Sequence, residues 1–343
     1  MPVQTNVERS RFGRILPALT LALLAPMLAE VLPGATRFSS LFVFPIEVCV
    51  WGLGAVMIRE VVRRRRLGWP SLLLLALVLA IAEEFVIQQT SLAPVVIQLK
   101  NEVYARAFGI NYVYALWALV YETVFVVFLS ITLAELLFPA RKAQPWMSRA
   151  GILVSVPLFS VGSLLAWYSW TQVARPLVFR VPVYSPTPLA MALALLAMGL
   201  LVAVALGPAR RFATAPIKPP SPWLLGVAGA VWATLWYGLC VLAFGIDPHF
   251  PPAAAMGGGL FLVVLILAFL PRFTGHAAWN PIHAHGLLFG TMAGAMTVSF
   301  VGFLYDRGID FWFKLAVDLV AIALLAWLGL RLRRQPVIPR PAS

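Results

Sequence analysis

The chain has 343 residues, 61% of them hydrophobic and 11% charged, against roughly 45–50% and about 25% in a soluble domain. This excludes an ordinary soluble fold. A crossing uses ~20 apolar residues, so ten crossings leave no room for a separate soluble domain of ~100 residues. In a soluble protein the net charge of +13 would point to nucleic acid; in this chain it is first a matter of membrane topology, and no nucleic-acid partner is expected.

Apolar runs bounded by charge, Pro or Gly predict helices at 14–33, 39–60, 69–90, 111–138, 150–170, 188–208, 222–245, 253–271, 280–304 and 311–330. The expected fold is all-α: a polytopic transmembrane bundle of about ten spans in a single membrane domain, 1–343. Polar-centre helices fall in 14–138 and mainly apolar scaffold helices in 150–330. The first run follows Arg9, Arg11 and Arg14, but its length, Pro26 and Glu30 favour a retained helix over a signal peptide.

With the N-terminus inside, nineteen of the 26 Lys and Arg fall on inner segments and seven on outer ones. That asymmetry predicts N-in and C-in, in the inner (plasma) membrane of a bacterium. Arg63, Arg64, Arg65 and Arg66 anchor this topology and are candidates for contact with anionic lipid; no protein partner is indicated. Trp69, Trp146, Trp223 and Trp279 fall at inner boundaries and Trp170 and Trp312 at outer ones, as aromatic belts do. Two outer connections are long. Residues 91–110 carry Val95, Val96, Ile97, Leu99, Val103, Tyr104 and Phe108, and are expected to lie along the surface rather than re-enter. Residues 171–187 carry Arg175, Arg180 and three prolines.

Seven of the thirteen acidic residues, Glu30, Glu47, Glu83, Glu84, Glu122, Glu135 and Asp318, lie within predicted helices. Glu135 sits at the inner boundary beside Arg141 and Lys142. Asp318 is one turn from Lys314, an i,i+4 pair. The other five all fall in the outer half of the membrane. Each ionised carboxylate near mid-helix costs ~2.5–3.5 kcal/mol, so together they would cost roughly 10 kcal/mol or more unpaired. No Lys or Arg lies at matching depth on these helices. The group must therefore hold protons, share them in pairs, face a hydrated cavity, or bind a cation or an inward-folded loop arginine such as Arg175 or Arg180.

Glu84, Gln88 and Ser91 share one helix face and Glu83 shares another with Thr90, so this helix needs polar company on two sides and a central place in the bundle. Glu122 lies on a thin polar line with Asn111, Tyr114 or Ala115, and Ala118. Glu83, Glu84 and Glu122 are the candidate catalytic or coupling residues, with Glu30, Glu47 and Gln88 as their polar surroundings. The alternative is a set of hydrogen-bonding staples between helices.

His283 and His285 are the weak metal candidates. Two residues apart, they project to different sides of a helix and do not chelate as an i,i+4 pair would, so interfacial roles are expected and no cofactor is predicted. Gly286, Gly290 and Gly294 form a small-xxx-small packing stripe. Cys49 and Cys240 lie in apolar runs and indicate neither a disulfide framework nor a thiolate metal site.

The stretch GAVMIREVVRRRRLGWPSLLLLALVLAIAEEFVIQQT at 54–90, with APMLAE at 25–30, resembles a family of uncharacterised bacterial multi-pass membrane proteins with an IRE, basic-run, GWPSLLLL and IxEE pattern. The likeness reaches AELLFP at 134–139. More remotely, the Glu83-Glu84 pair after a basic loop is similar to the first motif of the CPBP intramembrane proteases, in which paired glutamates and histidines on neighbouring helices activate water. In that superfamily the pair continues as EExxxR. Here Phe85 to Gln89 contain no Arg, and the run Tyr112 to Glu122 contains none of the second motif's His. The resemblance thus implies a CPBP-like helical core with an intramembrane glutamate site of noncatalytic or repurposed activity. A proton- or cation-coupled transporter and a structural or assembly protein are the alternatives.

Overall fold

A computed structural model describes residues 11–95, 103–212, 214–247, 249–305 and 307–334. Arg9, Val96, Ile97 and Leu99, named above, lie outside the described residues, as do the basic residues Lys100 and Arg340. Nine helices among the described residues are long and apolar enough to cross a membrane: α2 Phe38–Arg64, α3 Trp69–Ile87, α4 Tyr112–Leu137, α5 Arg149–Val178, α6 Pro188–Arg211, α7 Pro222–Ala243, α8 Pro252–Gly275, α9 Pro281–Phe303 and α10 Ile309–Arg333. The first of the ten expected spans, α1 Ile15–Val31, is apolar but shorter than the rest. Its end is set by a reversal at Gly34, whose φ of 79° lies in the left-handed region that glycine adopts without a Cβ clash. Strand structure among the described residues is one small antiparallel hairpin, β1 Arg106–Ala107 with β2 Ile110–Asn111.

Two connections differ from the expectation. Residues 171–178 are not loop: α5 continues through them in a widened turn, Ser169–Val178, that accommodates Pro176. Nor does all of 91–110 lie on the surface. Phe108 is exposed, but Ser91, Leu92 and Ala93 are buried, because their carbonyls find donors. Asn111 donates to Thr90 O (3.0 Å) and Ala93 O (2.8 Å), and Arg106 donates to Leu92 O (2.8 Å) and Ala93 O (2.9 Å). The backbone N–H of Asn111 donates to Ser91 O at 2.9 Å. The chain directly after α3 thus folds back against the hairpin and the start of α4.

The interior is built chiefly by α1 to α4 with α9. About half of α4 (56%) and α9 (50%) is buried, against 11% of α6. Leu193, Leu196, Phe261, Val264, Leu319 and Val320 point outward on α6, α8 and α10, an apolar perimeter that suits lipid and would be an aggregation hazard in water. Small residues allow the closest helix approaches. A Cβ added at Gly286, Gly290 or Gly294 of α9 would overlap the α7 carbonyls of Pro222, Gly226 and Ala230 respectively, and one at Gly52 of α2 would overlap Ala22 O of α1.

At the end of the bundle that carries the basic run, Glu135 pairs with α2 rather than with Arg141 and Lys142. Arg59 Nε donates to Glu135 Oε1 at 3.1 Å and Arg63 Nη2 to Glu135 Oε2 at 2.7 Å. The i,i+4 helical geometry of Arg59 and Arg63 aims both at the neighbouring helix, whereas Arg141 turns away to donate to Gly13 O at 2.8 Å. Arg64 reaches Glu60 at 3.2 Å. Two of the four arginines in the basic run are therefore engaged within the protein, while Arg65 and Arg66 are exposed.

Candidate functional site

Four of the five glutamates sit where the helix is wound more widely than an α-helix, and Glu47 ends an α-helical turn just before such a stretch. These π-type turns are Met27–Val31 around Glu30, Val48–Gly52 directly after Glu47, Ala82–Ile87 around Glu83 and Glu84, and Glu122–Leu129 starting at Glu122. Such turns are rare and concentrate at functional sites. The wider winding narrows the angle between successive side chains, so adjacent Glu83 and Glu84 both reach the bundle interior.

The structure brings the five together. Glu47, Glu83, Glu84 and Glu122 are 5% exposed or less, and Glu30 is partly accessible. Glu30 lies within electrostatic range of Glu47, Glu84 and Glu122, and Glu83 within range of Glu122, Glu84 and Glu30. The Glu83 and Glu122 carboxyls face each other across α3 and α4, and the Trp51 indole faces Glu122. Glu47 Oε1 accepts from the Thr36 hydroxyl. Glu84 has the two-sided company that its position demands, accepting from Ser91 Oγ at 3.0 Å and from the Tyr114 hydroxyl at 3.4 Å. No hydrogen bond joins the half-buried Gln88 side chain to these carboxyls among the described residues.

Three residues that sequence spacing did not assign complete the centre. Tyr121 donates to Ala29 O beside Glu30. Tyr237, from the distant α7, stands edge-on to Tyr121 with ring centroids 5.7 Å apart, within electrostatic range of Glu30 and Glu122. Trp51 comes from α2. The repeat Tyr114, Trp117, Tyr121 on one face of α4 was the signal that could have found the aromatic wall; nothing local in the sequence marks Tyr237. Among the described residues Glu47 Oε2 has no hydrogen-bond partner, while Glu83 and Glu122, Trp51 and Glu122, and Tyr121 and Tyr237 face each other closely enough to share hydrogen bonds. No Lys, Arg or His forms an ion pair with any of the five glutamates among the described residues.

Of the two loop arginines, Arg180 is exposed. Arg175 is folded inward and 2% exposed, with Nη2 donating to Val95 O at 3.1 Å, and lies within electrostatic range of Tyr114.

The histidines are engaged elsewhere. Asn280 Oδ1 caps α9 by accepting from the backbone of Ile282 and His283, and the His283 ring stacks on Trp279 at 5.6 Å. His285 Nε2 lies 2.7 Å from Leu325 O of α10. Among the described residues no three or more His, Cys, Asp or Glu side chains are placed to hold a metal ion.

No protein-family model, curated protein or solved structure matches the chain.

Proposed function

We propose that the chain is a multi-pass protein of a bacterial inner membrane, N-in and C-in, whose five glutamates form one protonatable centre that couples proton uptake to movement of a solute. The observation that carries this reading is the gathering of Glu30, Glu47, Glu83, Glu84 and Glu122 in the bundle interior with no cationic partner. Buried, unpaired carboxylates cost several kcal/mol each, whereas a carboxyl that holds a proton is both donor and acceptor, and a facing pair such as Glu83 and Glu122 can share one. Ser91, Tyr114 and Thr36 supply further hydroxyls. Intramembrane acids in this setting are characteristic of proton relays.

A second reading rests on the same facing pair. In a CPBP-like core, Glu83 and Glu122 on neighbouring helices would act on water as general base and acid. The proton-exchange reading is preferred because it needs only the carboxyls and hydroxyls gathered there. At the inner face, Arg65 and Arg66 are the residues left for anionic lipid.

The test is infrared spectroscopy of the purified protein over a pH titration, on wild type and on the five Glu→Gln variants. The expected result is a carboxylic-acid carbonyl band that disappears on alkaline titration and weakens in Glu83→Gln and Glu122→Gln, with helical content retained. A wild type without such a band, or a band indifferent to all five substitutions, overturns the reading. Loss of folded protein in every variant would instead favour the acids as helix staples.

A further inference from the structure

The proton centre makes no use of Arg175, whose environment is incomplete. The guanidinium is 2% exposed and its hydrogen bond is to one backbone carbonyl, Val95 O at 3.1 Å. Its Nε and Nη1 have no partner among the described residues. A buried arginine keeps its charge, because the guanidinium does not give up its proton in proteins, and a buried charge without a counter-charge is strongly unfavourable. The nearest carboxyl system does not supply one. Glu84 is already held by Ser91 and Tyr114, and no ion pair joins it to Arg175 among the described residues. Tyr114 lies between the two, within electrostatic range of Arg175 and bonded to Glu84.

We propose that Arg175, beside Tyr114, forms an anion site at the outer end of the glutamate centre, and that its ligand is the carboxylate of a small monovalent organic acid. The ligand is an anion because the unpaired donors belong to a fixed positive charge. One guanidinium beside five carboxyls balances a single negative charge, and a dianion would be left in excess. A carboxylate suits the site better than a spherical ion, because Nη2 carries two N–H groups and Val95 O takes one, which leaves one edge of the planar guanidinium with two parallel donors for two oxygens. This inference rests on the proton-coupled reading and names its solute: one proton taken up with one monoanion carries no net charge across the membrane.

Thermal unfolding of the full chain in detergent, with sodium acetate or propionate against chloride and phosphate at equal ionic strength, tests the site. Acetate and propionate should raise the Tm of wild type saturably. Arg175→Lys should weaken the apparent affinity about tenfold or more, and Arg175→Gln should abolish the effect. Where Arg175→Gln does not fold, Arg175→Lys carries the comparison, with carboxylate stabilisation weakened. The site is overturned if no carboxylate stabilises wild type, if chloride or phosphate stabilises equally, or if the variants respond as wild type does. Saturable carboxylate stabilisation without a titrating carboxylic-acid band would retain the anion site and remove the proton coupling; the reverse pattern would remove the anion site alone.

Discussion

The Arg59 guanidinium lies over the Trp146 ring, its central carbon 3.1 Å from the ring centroid, with Arg59 1% exposed. The same group donates to Glu135 at 3.1 Å, Lys142 O at 2.8 Å and Gln144 O at 3.2 Å, so one side chain of α2 fastens the α4–α5 connection at the inner end. Arg59→Ala should destabilise the protein by about 1–3 kcal/mol, since it removes the donor of the Lys142 and Gln144 carbonyls while Arg63 still pairs with Glu135. Arg59→Lys should recover little, because an ammonium has neither the planar stacking face nor the fork. Thermal unfolding in detergent reads both, and a Lys variant as stable as wild type would contradict this account of the inner end.

The α7–α9 contact offers a sharper steric comparison. Gly290→Ala places a methyl group against Gly226 O, whereas Gly199 on α6 has nothing within 4 Å of its would-be Cβ. Gly290→Ala should therefore lower stability by about 1–3 kcal/mol or more through overpacking. Gly199→Ala should be neutral or raise it by up to about 1 kcal/mol through helix propensity. Equal effects in unfolding would mean that the two helices do not approach through this stripe.

Lys314 is buried on α10 and donates to Asp318 Oδ2 and to Leu32 O, both at 2.7 Å, tying the last helix to the end of the first. Removing either charge alone, by Lys314→Met or Asp318→Asn, should cost about 3–5 kcal/mol. The double variant should cost less than the two singles together, because it leaves no uncompensated charge. Strict additivity in the double-mutant cycle would show that the pair is not coupled.

Orientation is tested at Phe108, at the tip of the β1–β2 hairpin and exposed. In intact cells Phe108→Cys should react with a membrane-impermeant maleimide, while the wild type, with Cys49 and Cys240 inside helices, sets the background. Reaction only after the cells are opened would reverse the N-in orientation.

Much of this arrangement was legible in the sequence, and the losses have physical reasons. Charge position along apolar runs located the helices and singled out the five acids, because an ionisable group in hydrocarbon must be explained. The sequence ends α5 too early because Pro176 reads as a helix stop, yet a widened turn absorbs it. Glu135 was paired with its sequence neighbours, whereas its ion pairs come from α2, far away in the chain. The widened turns at the glutamates have no local sequence signature, and Tyr237 joins the centre through tertiary packing alone.

The central claim, that the five glutamates act as one centre, is tested most directly by coupling within the infrared titration. If Glu83 and Glu122 share a site, the wild-type minus Glu122→Gln difference spectrum will contain perturbed bands from Glu83 as well as the missing Glu122 band, and the Glu83→Gln, Glu122→Gln double variant will differ from the sum of the singles. Spectra that subtract cleanly, each substitution removing one band and leaving the rest unmoved, would show separate acids at separate helix contacts and contradict the account.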